Sequence, residues 1–144
     1  MSAPDYPGHG LFLPYLLNKT TAVLNIKLQK ILDQENLTLT QWRVLAFLSH
    51  QDDLTMGELA QNTMTEQSTL SRALRGLEDQ GFVRRETNAT DTRAVQVHLQ
   101  ARGHQAFDHL LQKVLTLETA FLDGVSKDDV ERVRAVLLAI IANA

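Results

Sequence analysis

Cysteine is absent from this 144-residue chain. That removes disulfides, thiolate metal sites and thiol redox sensing together, and it fits an intracellular, cytoplasmic protein. Long apolar runs are also missing. The oily stretch "LFLPYLL" is far too short to span a membrane and is broken by Pro14, and nothing resembles a secretory leader. There is no glycine-rich phosphate loop, no recognisable nucleophile–base pair and no pair of carboxylates set for acid–base work. An enzyme is therefore not expected, and Asp52-Asp53 and Asp128-Asp129 read as helix-start charges. The five histidines (His9, His50, His98, His104, His109) never fall at i, i+4. Without cysteine, a zinc site would need convergence from distant parts of the chain, so neither metal nor cofactor is expected.

An excess of positive charge is lacking too, since the formal net charge is −3. Its distribution matters more than its sum. Residues 54–103 carry equal numbers of basic and acidic side chains. Within them, residues 67–85 hold Arg72, Arg75, Arg84 and Arg85 against Glu78 and Asp79. Groove binding depends on the local field, so the acidic total does not exclude DNA. The 44% apolar fraction is ordinary for one globular domain with a real core.

The residue pattern predicts helix, helix, helix, helix, strand, strand, helix, helix. After a Pro/Gly-rich arm, "MSAPDYPGHG", a long helix runs from Pro14 to about Asn36, with Leu17, Leu24, Leu28 and Ile31 on one stripe. Leu16, Val23 and Ile26 widen that face beyond what one neighbour covers. Thr40 is expected to cap a short buried helix carrying Trp42, Val44, Leu45 and Leu48. Thr55 and Glu58 have capping-box spacing, Thr65 is expected to cap the fourth helix, and Gly81 to end it. "FVRRE" and "RAVQVHL" read as strands about a polar tip, "TNATDT". A fifth helix spans Arg102 to Phe121, and Ser126 caps an aliphatic-rich sixth.

The fourth helix has two unlike sides. At 100° per residue, Ser68, Ser71, Arg72 and Arg75 fall within roughly 100° of arc, with Leu70, Leu74 and Leu77 opposite. Small hydroxyls permit close approach, and guanidiniums can donate to bidentate acceptors such as guanine O6/N7 or phosphate. A short capped helix, a tight turn and such a helix make a helix-turn-helix, and the cationic strand pair behind it makes a wing.

"LTMGELAQNTMTEQSTLSRALRGLEDQGFVRRETNATDTRAVQVHLQARGHQAF" resembles the DNA-binding core of the MarR family of bacterial regulators. Ser68–Arg72 match the recognition helix, Leu77–Arg85 the exit into the wing, Asp91-Thr-Arg93 the wing-tip D-x-R, and Leu99–Gly103 the start of a dimer helix. "LTLTQWRVLAFL" matches the family's second helix. Thr87 and Thr92 stand where family wings often carry bases, and Gln100-Ala101 replace the usual hydroxyl and its neighbour. Wing contacts weaker than the family's are therefore expected.

The resemblance implies a mainly α fold with a small β-wing and a helical dimerisation region built from both termini. The divisions are 1–36 (arm and dimerisation helix), 37–100 (winged helix-turn-helix) and 101–144 (dimerisation helices), intertwined as one domain. It implies double-stranded DNA as partner, with Gln67, Ser68, Ser71, Arg72 and Arg75 on the helix, Arg84 or Arg85 on a strand, and Arg93 in a minor groove. Asp91 would orient the wing by pairing with an arginine such as Arg72, or simply form a turn with Arg93. Homodimerisation is expected through Leu16, Val133, Val136, Leu137, Ile140 and Ile141. A small-molecule effector, an aromatic carboxylate by first guess, is expected in a crevice near Tyr15, Trp42, Arg43, His50 and Phe107. Trp42 could equally be core, and Arg43 could pair with an acid. The function so implied is a ligand-responsive repressor on a pseudo-palindromic operator. The alternative is a winged helix used only for protein–protein contact.

Overall fold

Pro14 sits in the first turn of helix α1 (Leu13–Asp33), where a missing N–H costs nothing. In the computed structural model, which describes residues 5–88 and 91–144 and the side chains outside 88–93, a 3-10 turn at His9–Leu11 precedes it. Helix α2 (Leu39–His50) begins one turn after α1 ends. Its cap is Thr38, not Thr40. Thr38 has extended dihedrals, its Oγ1 accepts from the Gln41 N–H at 3.1 Å, and Gln41 Oε1 accepts from the Thr38 N–H at 3.0 Å. Thr40 already lies inside the helix, where its hydroxyl has no orphan N–H to satisfy.

A strand that the sequence pattern did not predict, β1 (Leu54–Thr55), leads into α3 (Met56–Thr63). The expected capping box closes this helix, with Thr55 Oγ1 accepting from the Glu58 N–H and Glu58 Oε2 from the Thr55 N–H. Met64, in the left-handed region, turns the chain toward α4 (Gln67–Asp79). Here the expected Thr65 cap is not formed. Glu66 holds the cap position, and Thr65 Oγ1, one residue too early, donates to the Thr63 carbonyl. Gly81 ends α4 with φ +74°. Its N–H donates to Glu78 O, and the Phe82 N–H donates back to Leu77 O, a paired closure that needs a left-handed residue.

Strands β2 (Val83–Asn88) and β3 (Asp91–Leu99) then pair antiparallel, and β1 adds to the far side of β3 in the order β1-β3-β2. The register sets Arg84 opposite His98 and Arg85 opposite Val97. Side chains alternate, so Val83, Arg85, Val97 and Leu99 face inward, while Arg84, Glu86, Gln96 and His98 face outward. Helix α5 (Ala101–Phe121) leaves the sheet through Gly103, and α6 (Lys127–Asn143) starts at the Ser126 cap as expected.

One apolar cluster joins these elements. Leu32 of α1, Val44, Leu45 and Leu48 of α2, Leu59 of α3, Leu70, Leu74 and Leu77 of α4, Val97 of β3 and Leu110 of α5 are all essentially sealed from solvent. No residue of α6 is buried, and Val23 and Ile26 of α1 with Val133, Val136, Leu138 and Ile141 of α6 are exposed. The core thus lies beneath the winged half.

Candidate nucleic-acid interface

The leucines of α4 fix which of its sides faces out. Leu70, Leu74 and Leu77 point into the core with Ala73, leaving Gln67, Ser68, Arg72 and Arg75 exposed and Ser71 half-buried. Arg72 donates to Thr69 Oγ1 at 3.3 Å, which steadies the side chain without neutralising it. Among the described residues, neither Arg72 nor Arg75 has an acidic partner within ion-pair distance. Two guanidiniums and small hydroxyls on one outward ridge can meet phosphates or base edges.

A residue that sequence reasoning missed holds the ridge in place. Gln41, 8% exposed, caps α2 and also donates through Nε2 to the Ala73 carbonyl at 3.3 Å. A Cβ on Gly76 would lie 2.6 Å from that same amide nitrogen. The small residue therefore permits the α2–α4 approach, and Gln41 fixes its register. The Thr38–Gln41 spacing could have revealed the cap, but nothing local could have revealed the reach across to α4.

On the wing, the two adjacent arginines separate as alternation requires. Arg85 turns inward and its Nε pairs with Glu78 near the end of α4, with the side chain 27% exposed. Arg84 faces outward, 3.3 Å from Glu86. Of the two strand candidates, Arg84 is therefore available on the surface and Arg85 joins wing to helix. Asp91 and Arg93 have side chains that lie outside the described residues.

Of the five residues expected at an effector crevice, the structure brings Trp42 and Phe107 into direct contact. Trp42 is core and stacks on Phe107, with centroids 5.2 Å apart and 18° between planes. Arg43 is half-buried, without an acidic partner among the described residues. The Tyr15 ring lies 4.9 Å from His9, under Lys19, and His50 is exposed at the end of α2. An open cavity of about 460 Å³ lies elsewhere, among α1, α5 and α6, walled by residues such as Leu24, Leu28, Val114, Phe121 and Val133 with Arg134 at its edge.

A capped helix, a left-handed turn, an outward basic ridge and a strand pair packed behind it define a winged helix-turn-helix protein. The family model for the MarR family matches residues 35–94. A MarR-family transcriptional regulator from Silicibacter pomeroyi superposes with a TM-score of 0.85 at 33% identity, over 94% of this chain and 92% of that one. An HTH-type transcriptional repressor of Mycobacterium tuberculosis is 34% identical over 63% of this chain, and the match spans 66% of the relative's length, just under two thirds. NadR, whose structure was solved with 4-hydroxyphenylacetate, shares the fold with a TM-score of 0.81 at 21% identity, over 97% of this chain and 96% of that one. The chain belongs to the MarR family of transcriptional regulators. No helix among the described residues is long and apolar enough to cross a membrane.

Proposed function

We propose that the protein is a cytoplasmic repressor that binds a pseudo-palindromic operator as a homodimer and is released by a small molecule. The carrying observation is the outward ridge of α4, where Arg72 and Arg75 stand without acidic partners among the described residues while three leucines on the opposite side anchor it. Gln67, Ser68, Ser71 and Arg72 would contact base edges or phosphate, Arg75 phosphate, Arg84 the flanking backbone and Arg93 a minor groove. Asp91 would orient the wing.

One such ridge binds weakly at cellular salt, because each phosphate contact contributes mainly counterion release. Two ridges a helical turn apart supply affinity and specificity together. The second ridge would come from a partner copy. The apolar faces of α1 and α6, including Leu16, Val133, Val136, Leu137, Ile140 and Ile141, are the surface that would interlock with it, making 1–36 and 101–144 the dimerisation parts around a winged 37–100.

Release would follow from a change in spacing between the two ridges. Arg43, half-buried and without an acidic partner among the described residues, would hold a carboxylate, and the NadR complex supports an aromatic acid as the class. Repression is the default for a small dimer that occupies a promoter. A gel shift against the gene's own upstream region tests the reading. Binding that weakens steeply with salt and vanishes in Arg72→Ala supports it; no retardation at any salt would reject it and favour a protein-interaction module. Calorimetry with aromatic acids, compared in wild type and Arg43→Gln, tests the effector separately.

A further inference from the structure

His98 alternates with Gln96 on the outward face of β3, yet it is only 9% exposed, because the loop between α2 and β1 folds over it. Each of its ring nitrogens meets a carboxylate. Nδ1 contacts Asp53, and Nε2 lies 3.0 Å from Glu86 Oε2 on β2. Asp52 is held beside them, its Oδ1 accepting the Leu99 N–H at 3.3 Å. One ligand atom from each of Asp52, Asp53 and His98 lies within 4.8 Å of the others.

A neutral imidazole has one N–H. With that N–H given to Glu86, the Nδ1 lone pair faces the Asp53 carboxylate, and two acceptors oppose one another. Either a second proton or a cation must stand between them. A metal ion fits the second case. Nδ1 and the two aspartates become ligands, while Glu86 takes the remaining ring N–H from outside, the usual way a metal-bound histidine is oriented. The donor set narrows the ion. One imidazole with two carboxylates is too soft and too poor in oxygen for calcium, and it lacks the sulfur that would select copper(I). Zinc binds such sites more tightly than manganese or iron(II), and three protein ligands leave its fourth position to water.

We propose that Asp52, Asp53 and His98 form a site for a divalent first-row transition ion, Zn²⁺ foremost, with Glu86 as its outer carboxylate. The ion would brace the α2–β1 loop against β3 and, through Glu86, against β2. The site is off the α4 ridge but adjoins the wing cation Arg84, whose Nη1 lies 3.3 Å from the same Glu86 oxygen, and the distant convergence that histidine spacing could not suggest is supplied by the sheet register.

The full chain, titrated with Zn²⁺ against a chromophoric chelator, tests this. One ion per chain is expected. Asp53→Asn, at an exposed left-handed position that asparagine tolerates, should weaken uptake at least about tenfold, and Glu86→Gln by about 10–100-fold. His109→Gln, which alters the separate contact with Glu35, should leave it unchanged. Co²⁺ added to the wild-type chain should give visible bands of a low-coordinate nitrogen–oxygen site. The proposal is overturned if Zn²⁺ uptake is absent, is equal in wild type and Asp53→Asn, or disappears with His109. It is overturned equally if Co²⁺ keeps its hexaaqua spectrum, the outcome expected when a proton alone fills the gap.

Discussion

Gly103 offers a stringent test of how the wing is joined to α5. A Cβ built there would stand 2.2 Å from the Phe82 carbonyl oxygen and 2.5 Å from Leu99 Cδ1. The Phe82 oxygen cannot retreat freely, because it accepts the Gln100 N–H at 2.8 Å. In an open helix, Gly→Ala gains about 1 kcal/mol. Here the contact is with backbone, so overpacking falls at the costly end of its range, about 3 kcal/mol. The net expectation for Gly103→Ala is a loss of about 2 kcal/mol. At roughly 2–4 °C per kcal/mol for a chain of this size, Tm falls by about 4–8 °C. The assay is thermal unfolding at one fixed protomer concentration, since association shifts Tm by mass action. Gly57→Ala is the control. Its Cβ would meet only Thr55 Oγ1 at 3.9 Å, so Tm should stay level or rise slightly. If Gly103→Ala melted at or above wild type, the reasoning would be refuted.

Other outcomes are equally checkable. Arg72→Ala should weaken operator binding, and if Arg72 contacts phosphate the slope of log K against log salt should fall by about 2 for a dimer, one contact per half-site; an unchanged affinity and slope would remove Arg72 from the interface. Gln41→Ala should cost about 1–2 kcal/mol by urea denaturation, and Gln41→Glu, which keeps the acceptor for the Thr38 N–H but sets a buried carboxylate oxygen against the Ala73 carbonyl, should cost at least as much. Ile141→Glu, at a position 70% exposed in the single chain, should give monomers by sedimentation with helix content retained; a dimer of undiminished stability would place the interface elsewhere.

What was legible in the sequence was what repeats locally. The leucine stripe of α4, the Thr55–Glu58 and Ser126 caps, the left-handed Gly81 and the alternation of β3 are each set by residues within a turn or a strand of one another, and each appears where the pattern put it. What escaped depends on distant partners. The strand β1 is two residues long, too short for any period, and exists because Leu54 and Thr55 meet Val97 and Gln96. The cross-helix reach of Gln41 and the cover over His98 have no local signature for the same reason. The Thr40 and Thr65 caps failed differently. Each threonine is a chemically suitable residue near the right place, and the backbone dihedrals of its neighbours decide which residue stands at the boundary.

The Arg85–Glu78 pair and the short turn at Gly81 leave almost no slack between α4 and the hairpin beside it. In the proposed dimer the two would therefore move as one lever, with its fulcrum at the junction with α5. Substitutions that change the preferred distance between operator half-sites should then cluster at that fulcrum, and substitutions within the lever should alter which bases are read without altering how far apart they sit.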